Sequence, residues 1–110
     1  MISWDDFQKV DMRIGEIVEV EDFPEARNPS YRIKVFFGED FGTKKSCAQA
    51  TNYSKAELLG KQVVCVVNFP PKQIGPAVSE VLILGVPVGI GKNISLLGPD
   101  QAVPLGGRVY

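Results

Sequence analysis

Apolar and polar residues alternate along several short segments of this chain, as they do in strands with one buried face. The clearest alternation runs over residues 31–37, where one face is apolar and the other carries Arg32, Lys34 and Phe36. Residues 12–20 show the same pattern, and the apolar residues on one face are Met12, Ile14, Val18 and Val20. The whole pattern predicts strands over residues 12–20, 31–37, 43–50, 62–68, 80–86 and 93–97.

Two short helices are predicted from their N-terminal capping residues. Ser54 is followed three residues later by Glu57, which is the spacing of a capping box, and Gly60 suits the end of that helix. Ser3 and Asp6 have the same spacing near the N-terminus. The helix that they predict would carry Trp4, Phe7 and Val10.

The order of these elements is three strands, one short helix and then further strands. A five-stranded Greek-key OB-fold barrel places its helix between strands three and four, where residues 54–60 fall. An SH3-like barrel is the nearest alternative and usually lacks that helix. We expect an all-β chain in which residues 1–110 form a single domain. We also expect terminal extensions beside the barrel, and the C-terminal residues 103–110 could add a last edge segment.

The composition argues against a catalytic function and against a metal site. The 110-residue chain has no histidine, which removes the commonest general base and metal ligand. Its paired carboxylates lie in polar segments, where no apolar pocket raises a pKa for acid–base chemistry. Cys47 and Cys65 lack the spacing of a zinc site, and their apolar surroundings predict two small buried thiols. We expect a protein that is not an enzyme and has no metal or cofactor.

Charge and hydropathy indicate location and partners. No apolar run approaches the roughly 18 residues of a membrane span, and the acidic N-terminus is unlike a signal peptide. We therefore expect a cytoplasmic protein without membrane insertion. The net charge of −1 hides eight acids against two bases in residues 1–25 and eight bases against three acids in residues 26–72. This asymmetry fits either a surface for an anionic partner or ordinary solvation of two faces.

The connection from Asn68 to Gly85 joins two apolar strands. It contains three prolines and two apolar residues that look exposed, Phe69 and Ile74, in a segment that is longer and less polar than a simple turn requires. A stiff loop loses little conformational freedom when it binds. The segment is therefore predicted to be a binding loop.

Two further groups of residues have open interpretations. Arg32, Lys34 and Phe36, with Lys44 and Lys45 on the next strand, combine the charges and the ring that a nucleic-acid face needs. They fit equally well a solvated face whose aromatic ring is covered. Apolar residues near both termini either cover the barrel ends or form a homodimer interface. The predicted interface consists of Trp4, Phe7, Met12, Leu105, Val109 and Tyr110.

Several motifs resemble a known family. Residues 6–17 resemble the start of the tRNA-binding OB domain that occurs alone and at the C-terminus of methionyl-tRNA synthetases. The closer resemblance is to CsaA-type export chaperones, through residues 23–27, 67–72, 79–85 and 98–104. It implies a homodimer that binds unfolded or pre-export polypeptides and retains a tRNA-binding ancestry. Two loops, at residues 23–27 and 79–81, depart from the tRNA-binding pattern and match the chaperone branch.

The resulting prediction is a CsaA-like chaperone that captures an extended apolar segment. The predicted peptide-binding residues are Phe36, Phe69, Pro71 and Ile74. The alternative is a structure-specific tRNA-binding module, and Asn68, Lys72 and Ser79 occupy positions that the resemblance assigns to RNA contacts. The predicted RNA-binding residues are Arg32, Lys34, Asn68, Lys72 and Ser79. A third class is a dimerisation module that delivers another protein.

Overall fold

The computed structural model describes all residues, 1–110. Two short helices flank or interrupt the strands, α1 (Trp4–Gln8) and α2 (Lys55–Leu58). The nine strands are β1 (Met12–Asp22), β2 (Tyr31–Phe36), β3 (Thr43–Ala48), β4 (Gln62–Val66), β5 (Lys72–Ile74), β6 (Ala77–Ser79), β7 (Leu82–Ile83), β8 (Gly85–Pro87) and β9 (Ile94–Leu96). Five of them form one antiparallel sheet in the order β3-β2-β1-β4-β7.

Residues 79–81 bring the two edges of this sheet together. The backbone N–H groups of Glu80 and Val81 donate to the carbonyl of Lys45 on β3, at 2.7 and 3.3 Å. The Ser46 hydroxyl donates to the carbonyl of Val81 at 2.8 Å. The sheet thus becomes a nearly closed barrel, with α2 between the third and fourth strands. This arrangement confirms the predicted all-β OB-fold.

The barrel interior contains the apolar faces of the strands. Ile17, Ile33, Val35, Phe37 and Val63 are each 0 or 1% exposed, as the alternation on β2 predicts. Gly15 and Ile17 on β1 face the interior, so Val18, which follows Ile17 at the bulge, faces outwards and is 43% exposed. The prediction that Val18 shares a face with Val20 was therefore wrong, because the bulge between Ile17 and Glu19 shifts the alternation and turns Val20 towards the core.

Both predicted helix starts are confirmed. The Ser54 hydroxyl accepts from the Glu57 N–H at 3.1 Å, and the Ser54 N–H donates to the Glu57 carboxylate at 2.8 Å. Ser3 and Asp6 form the same reciprocal pair at α1. In both boxes the serine backbone N–H is the main cause of a lowered pKa in the acidic partner.

The connection between β4 and β7 is more ordered than predicted. It contains a hairpin of β5 and β6 with a two-residue turn at Gly75 and Pro76. Gly75 has a positive φ of 56°, which glycine adopts without strain at the first central position of such a turn.

The predicted strand over residues 80–86 is divided in two. Leu84 donates to the carbonyl of Val64 on β4 and accepts from Leu97, so the chain changes partners there. The following residues form a separate hairpin of β8 and β9. Gly85 permits this change, because a Cβ at that position would lie 3.2 Å from the carbonyl oxygen of Ser95.

The C-terminal tail lies along the first residues of β1, beyond the end of β2. The N–H groups of Gly106 and Val109 donate to the carbonyls of Ile14 and Met12, at 2.8 and 2.9 Å. The N–H of Ile14 donates in return to the carbonyl of Gly107 at 3.0 Å. The tail is therefore an irregular edge segment, as the sequence suggested.

Candidate functional site

The hairpin of β5 and β6 stands beside β3 and has a cleft on each side. The first, which we name the apolar cleft, has a volume of about 430 Å³. Phe69 and Leu82 on its walls remain 54 and 47% exposed although they are large and apolar. The full lining is Cys47, Phe69, Pro70, Lys72, Ile74, Ser79, Glu80, Val81 and Leu82.

Local sequence explains the walls of the apolar cleft. Two prolines follow Phe69 and fix two consecutive φ angles, which limits the conformations of this segment. Lys72 and Ile74 are two residues apart on β5, so their side chains lie on the same face of the hairpin. The apolar wall is therefore built before any ligand arrives.

The second cleft, which we name the polar cleft, has a volume of about 270 Å³. Its floor is the outer face of β1, β2 and β3, and Pro76, Ala77 and Val78 of the hairpin form its other side. The charged residues that line it are Glu19, Glu21, Arg32, Lys34 and Lys45. Cys47 lines both clefts and is the wall that they share.

Strand register arranges the floor of the polar cleft in cross-strand rows. Glu21, Arg32 and Cys47 are opposite one another, and the Glu21 carboxylate lies 3.4 Å from the Arg32 guanidinium. In the next row the Lys34 ammonium lies 3.1 Å from the Glu19 carboxylate, with Lys45 opposite Lys34 on the other side. Two of the three bases on this floor are therefore paired with acids.

The two cysteines differ in exposure. Cys65 is fully buried in the core, and this burial raises the pKa of its thiol to about 12. Cys47 is only half-buried, so the prediction of two buried thiols was wrong for Cys47. Burial raises the pKa of the Cys47 thiol, and the nearby Arg32 charge opposes that rise.

Ser79 and Glu80 fasten the hairpin to the edge of β3. The Ser79 hydroxyl accepts from the Cys47 N–H at 3.4 Å and donates to the carbonyl of Val81 at 3.2 Å. The Glu80 carboxylate accepts from the Lys45 N–H at 3.0 Å. These side chains occupy N–H groups that an edge strand would otherwise leave open.

The structure places the predicted peptide-binding residues in two regions. Phe69 and Ile74 line the apolar cleft, whereas Pro71 is exposed beside it and Pro70 provides the lining instead. Phe36 is half-buried near the end of β2 and lines neither cleft.

The predicted RNA-binding residues have several different contacts. Arg32 and Lys34 form the ion pairs described above, and the Arg32 guanidinium also lies 5.5 Å from the centre of the Phe23 ring. Asn68 connects backbone segments, because its amide accepts from the Asp11 N–H at 3.0 Å and donates to the carbonyl of Lys9 at 2.7 Å. Lys72 is exposed on the wall of the apolar cleft.

The predicted interface residues lie where the two termini meet. Asp11 is within 2.7 Å of Arg13 and 3.6 Å of Arg108, and Arg108 also donates to the carbonyl of Gln8 at 2.8 Å. Trp4 is 61% and Tyr110 97% exposed. Half-buried positions complete the group, namely Phe7, Met12, Leu105 and Val109.

Sequence reasoning missed Cys47, Pro70 and Leu82 as lining residues. A signal existed for Cys47, because it is two residues after Lys45 and therefore on the same face of β3. Leu82 gave no such signal, since its exposure depends on the short β7. Neither helix is long or apolar enough to cross a membrane, and no group of three or more potential metal ligands is present.

Strands two and three and the loops beside them are the usual ligand surface of a small OB-fold barrel, and both clefts lie there. A family model described as "Putative tRNA binding domain" matches residues 12–108. The chain therefore belongs to this tRNA-binding-domain family.

Two solved structures are similar to the chain over its whole length. The CsaA chaperone protein from Picrophilus torridus is 49% identical with a TM-score of 0.93, and each chain covers 100% of the other. The chaperone CsaA from Bacillus anthracis is 41% identical with a TM-score of 0.92, over 100% of this chain and 99% of that one. These similarities confirm the CsaA-type resemblance that the motifs indicated.

Longer relatives share only this domain. The methionine–tRNA ligase of Nanoarchaeum equitans is 39% identical over 109 residues, which are 99% of this chain and 14% of that protein. That of Thermococcus onnurineus is 36% identical over 113 residues, again 14% of its length. The chain thus spans about one seventh of the curated relatives that it matches.

Proposed function

We propose that this chain is a molecular chaperone that binds unfolded or pre-export polypeptides in the cytoplasm, and that it binds them without catalysis. Full-length similarity to two CsaA chaperones supports this function. Residues 1–110 would act as one binding domain, and the ligand would be an extended chain segment with a large apolar side chain.

The observation that carries the proposal is the exposed apolar cleft beside the proline-braced loop. Phe69 is 54% exposed although the molecule has a core in which similar side chains are buried. Transfer of one large aliphatic or aromatic side chain from water into such a cleft is worth about 1.5–3 kcal/mol. Because the prolines restrict the wall in advance, less of this gain is lost in ordering the loop.

Assembly as a homodimer is the second part of the proposal. Both termini contribute exposed apolar residues to one surface, and Trp4 and Tyr110 are prominent among them. Two clefts on one dimer would bind a long unfolded chain more tightly than either alone. Mass measurement in solution tests this part, and substitution of Trp4 and Tyr110 by Ser should shift a dimer towards monomer. A monomeric wild-type protein would contradict it.

The test of the cleft is the double substitution Phe69→Ser and Ile74→Ser. We expect it to abolish measurable binding of a labelled unfolded peptide, because the two large apolar side chains that the loop and hairpin contribute to the cleft are removed. Leu59→Ser is the matched control, since Leu59 is 50% exposed and lines neither cleft. Fluorescence anisotropy measures affinity, and circular dichroism checks that each variant is folded. Unchanged peptide affinity in the folded double variant would refute the proposed site.

Binding of tRNA is a second candidate function, favoured by the description of the matching family. Phosphate contacts make affinity fall steeply with salt. A salt titration with tRNA that shows a steep fall, together with weaker binding after Lys72→Ala, would support this alternative. A weak and salt-insensitive interaction would count against it.

A further inference from the structure

The residues that line the two clefts carry more positive than negative charge. The clefts are lined by four bases and three acids, and Cys47 is common to both. Two of the bases are already neutralised, because Arg32 pairs with Glu21 at 3.4 Å and Lys34 pairs with Glu19 at 3.1 Å. The remaining positive charge belongs to Lys45 in the polar cleft and Lys72 in the apolar cleft.

Lys45 has no acidic partner on the neighbouring strand. It is directly opposite Lys34 in the register of β2 and β3, and the Lys34 ammonium is already paired with Glu19. Lys45 takes part in no ion pair. The nearby Glu80 carboxylate accepts from the Lys45 backbone N–H at 3.0 Å rather than meeting its ammonium group.

Lys72 has the same property on the other side of the hairpin. It is exposed, is in no ion pair, and shares a wall of the apolar cleft with Phe69 and Ile74. Its strand partner Ser79 accepts from the Cys47 N–H, which places Lys72 close to the shared wall. Two ammonium groups without an ion pair therefore lie on the two sides of the shared wall, Lys72 in the apolar cleft and Lys45 in the polar cleft.

We infer that the preferred clients are acidic apolar segments, in which an apolar side chain enters the apolar cleft and a neighbouring Asp or Glu carboxylate is received by Lys45 or Lys72. This inference rests on the proposed function, since it names the class of polypeptide that the same site selects. The bases that the sequence pattern singled out, Arg32 and Lys34, contribute little to the selection because their charges are already compensated.

The exposure of Lys45 and Lys72 to solvent determines how strongly acidic peptides are preferred. Both lysines are near solvent, so each new ion pair should change affinity by about two- to fivefold and should weaken as salt is raised. Apolar burial would still supply most of the affinity. A neutral peptide is therefore expected to bind, but more weakly than an acidic peptide with the same apolar core.

Three labelled peptides test the inference. They share one apolar core and differ only in the flanking residues, which are Asp, Ser or Lys. Anisotropy titrations at low and high salt use the wild type, Lys45→Gln, Lys72→Gln and the double variant. Lys92→Gln is the matched control, because Lys92 is an exposed lysine without an ion pair that lines neither cleft.

We expect the Asp peptide to bind the wild type most tightly and the Lys peptide least tightly. The double variant should lose this order, whereas Lys92→Gln should keep it. Equal affinity of the wild type for all three peptides, or an order that survives in the double variant, would overturn the inference while leaving peptide capture intact. Absence of binding by every peptide would overturn both, and tRNA binding that fell in the double variant would then favour the RNA alternative.

Discussion

The carbonyl of Val81 is the point at which barrel closure and cleft geometry depend on the same contacts. Val81 is 4% exposed and also lines the apolar cleft. Its carbonyl accepts only from two hydroxyls, Ser46 at 2.8 Å and Ser79 at 3.2 Å. Removing one hydroxyl leaves the carbonyl satisfied by the other, and removing both leaves a buried acceptor without a donor.

The expected energies follow from that difference. Ser46→Ala should lower the free energy of unfolding by about 1 kcal/mol, the usual net value of one hydrogen bond. Ser79→Ala should lower it by about 1–2 kcal/mol, because the Ser79 hydroxyl also accepts from the Cys47 N–H. In the double variant the unsatisfied carbonyl should cost about 1–3 kcal/mol in addition. The two substitutions should therefore be more destabilising together than the sum of the single effects.

Urea unfolding followed by circular dichroism measures these values. Trp4 is 61% exposed, so its fluorescence would be a poor reporter of the barrel. Protein concentration must be equal in all samples, because the proposed dimer would make stability depend on concentration. Strictly additive single effects with an unchanged m-value would refute the proposed sharing of the Val81 carbonyl.

Three other predictions concern the core, the thiols and a helix cap. Gly15→Ala should destabilise the chain by about 1–3 kcal/mol in urea unfolding, because a Cβ would clash with the buried Val35 side chain and lie 2.8 Å from the Phe37 ring; an unchanged midpoint would contradict this. A thiol reagent should label Cys47 in the folded protein and Cys65 only after unfolding, and bound peptide should slow labelling of Cys47; mass spectrometry measures both. The Ser54 N–H lowers the pKa of Glu57 from 4.5, so this contribution to stability is present above that pH and is lost below it. Glu57→Gln should therefore flatten the fall in stability between about pH 5 and about pH 3, and a wild-type-like fall would contradict this.

Local signals in the sequence predicted much of the barrel. The capping boxes at Ser3 and Ser54 were readable because each involves residues only three positions apart. Strand β2 was readable because its alternation is uninterrupted, and Ile33 and Val35 are both buried as expected. The position of α2 then identified the OB-fold order.

Charge pairing in the polar cleft could not be predicted, because it depends on strand register. Ile17 is opposite Val35, but the bulge that follows skips Val18 and sets Glu19 opposite Lys34. Without the bulge, Glu19 would be opposite Ile33 and would turn towards the core. A pattern of single residues does not show where such an insertion occurs, so the sequence left Lys34 as a free base.

The apolar cleft was predicted in part for a related reason. Phe69 and Ile74 stand out as apolar residues in a proline-rich connection, and both line the cleft. The opposite wall comes from Cys47 and Leu82, which lie on other strands and meet the loop only after the barrel closes. The sequence therefore identified the wall that contains Phe69 and Ile74 and could not identify the wall that contains Cys47 and Leu82.

Photo-cross-linking is the most direct test of capture in the apolar cleft. An apolar peptide with a photoreactive side chain at its centre is bound, irradiated and located by mass spectrometry. We predict cross-links to the cleft walls, at Phe69, Ile74 or Leu82. Cross-links confined to the terminal surface around Trp4 and Tyr110, or to the hairpin of β8 and β9, would contradict it.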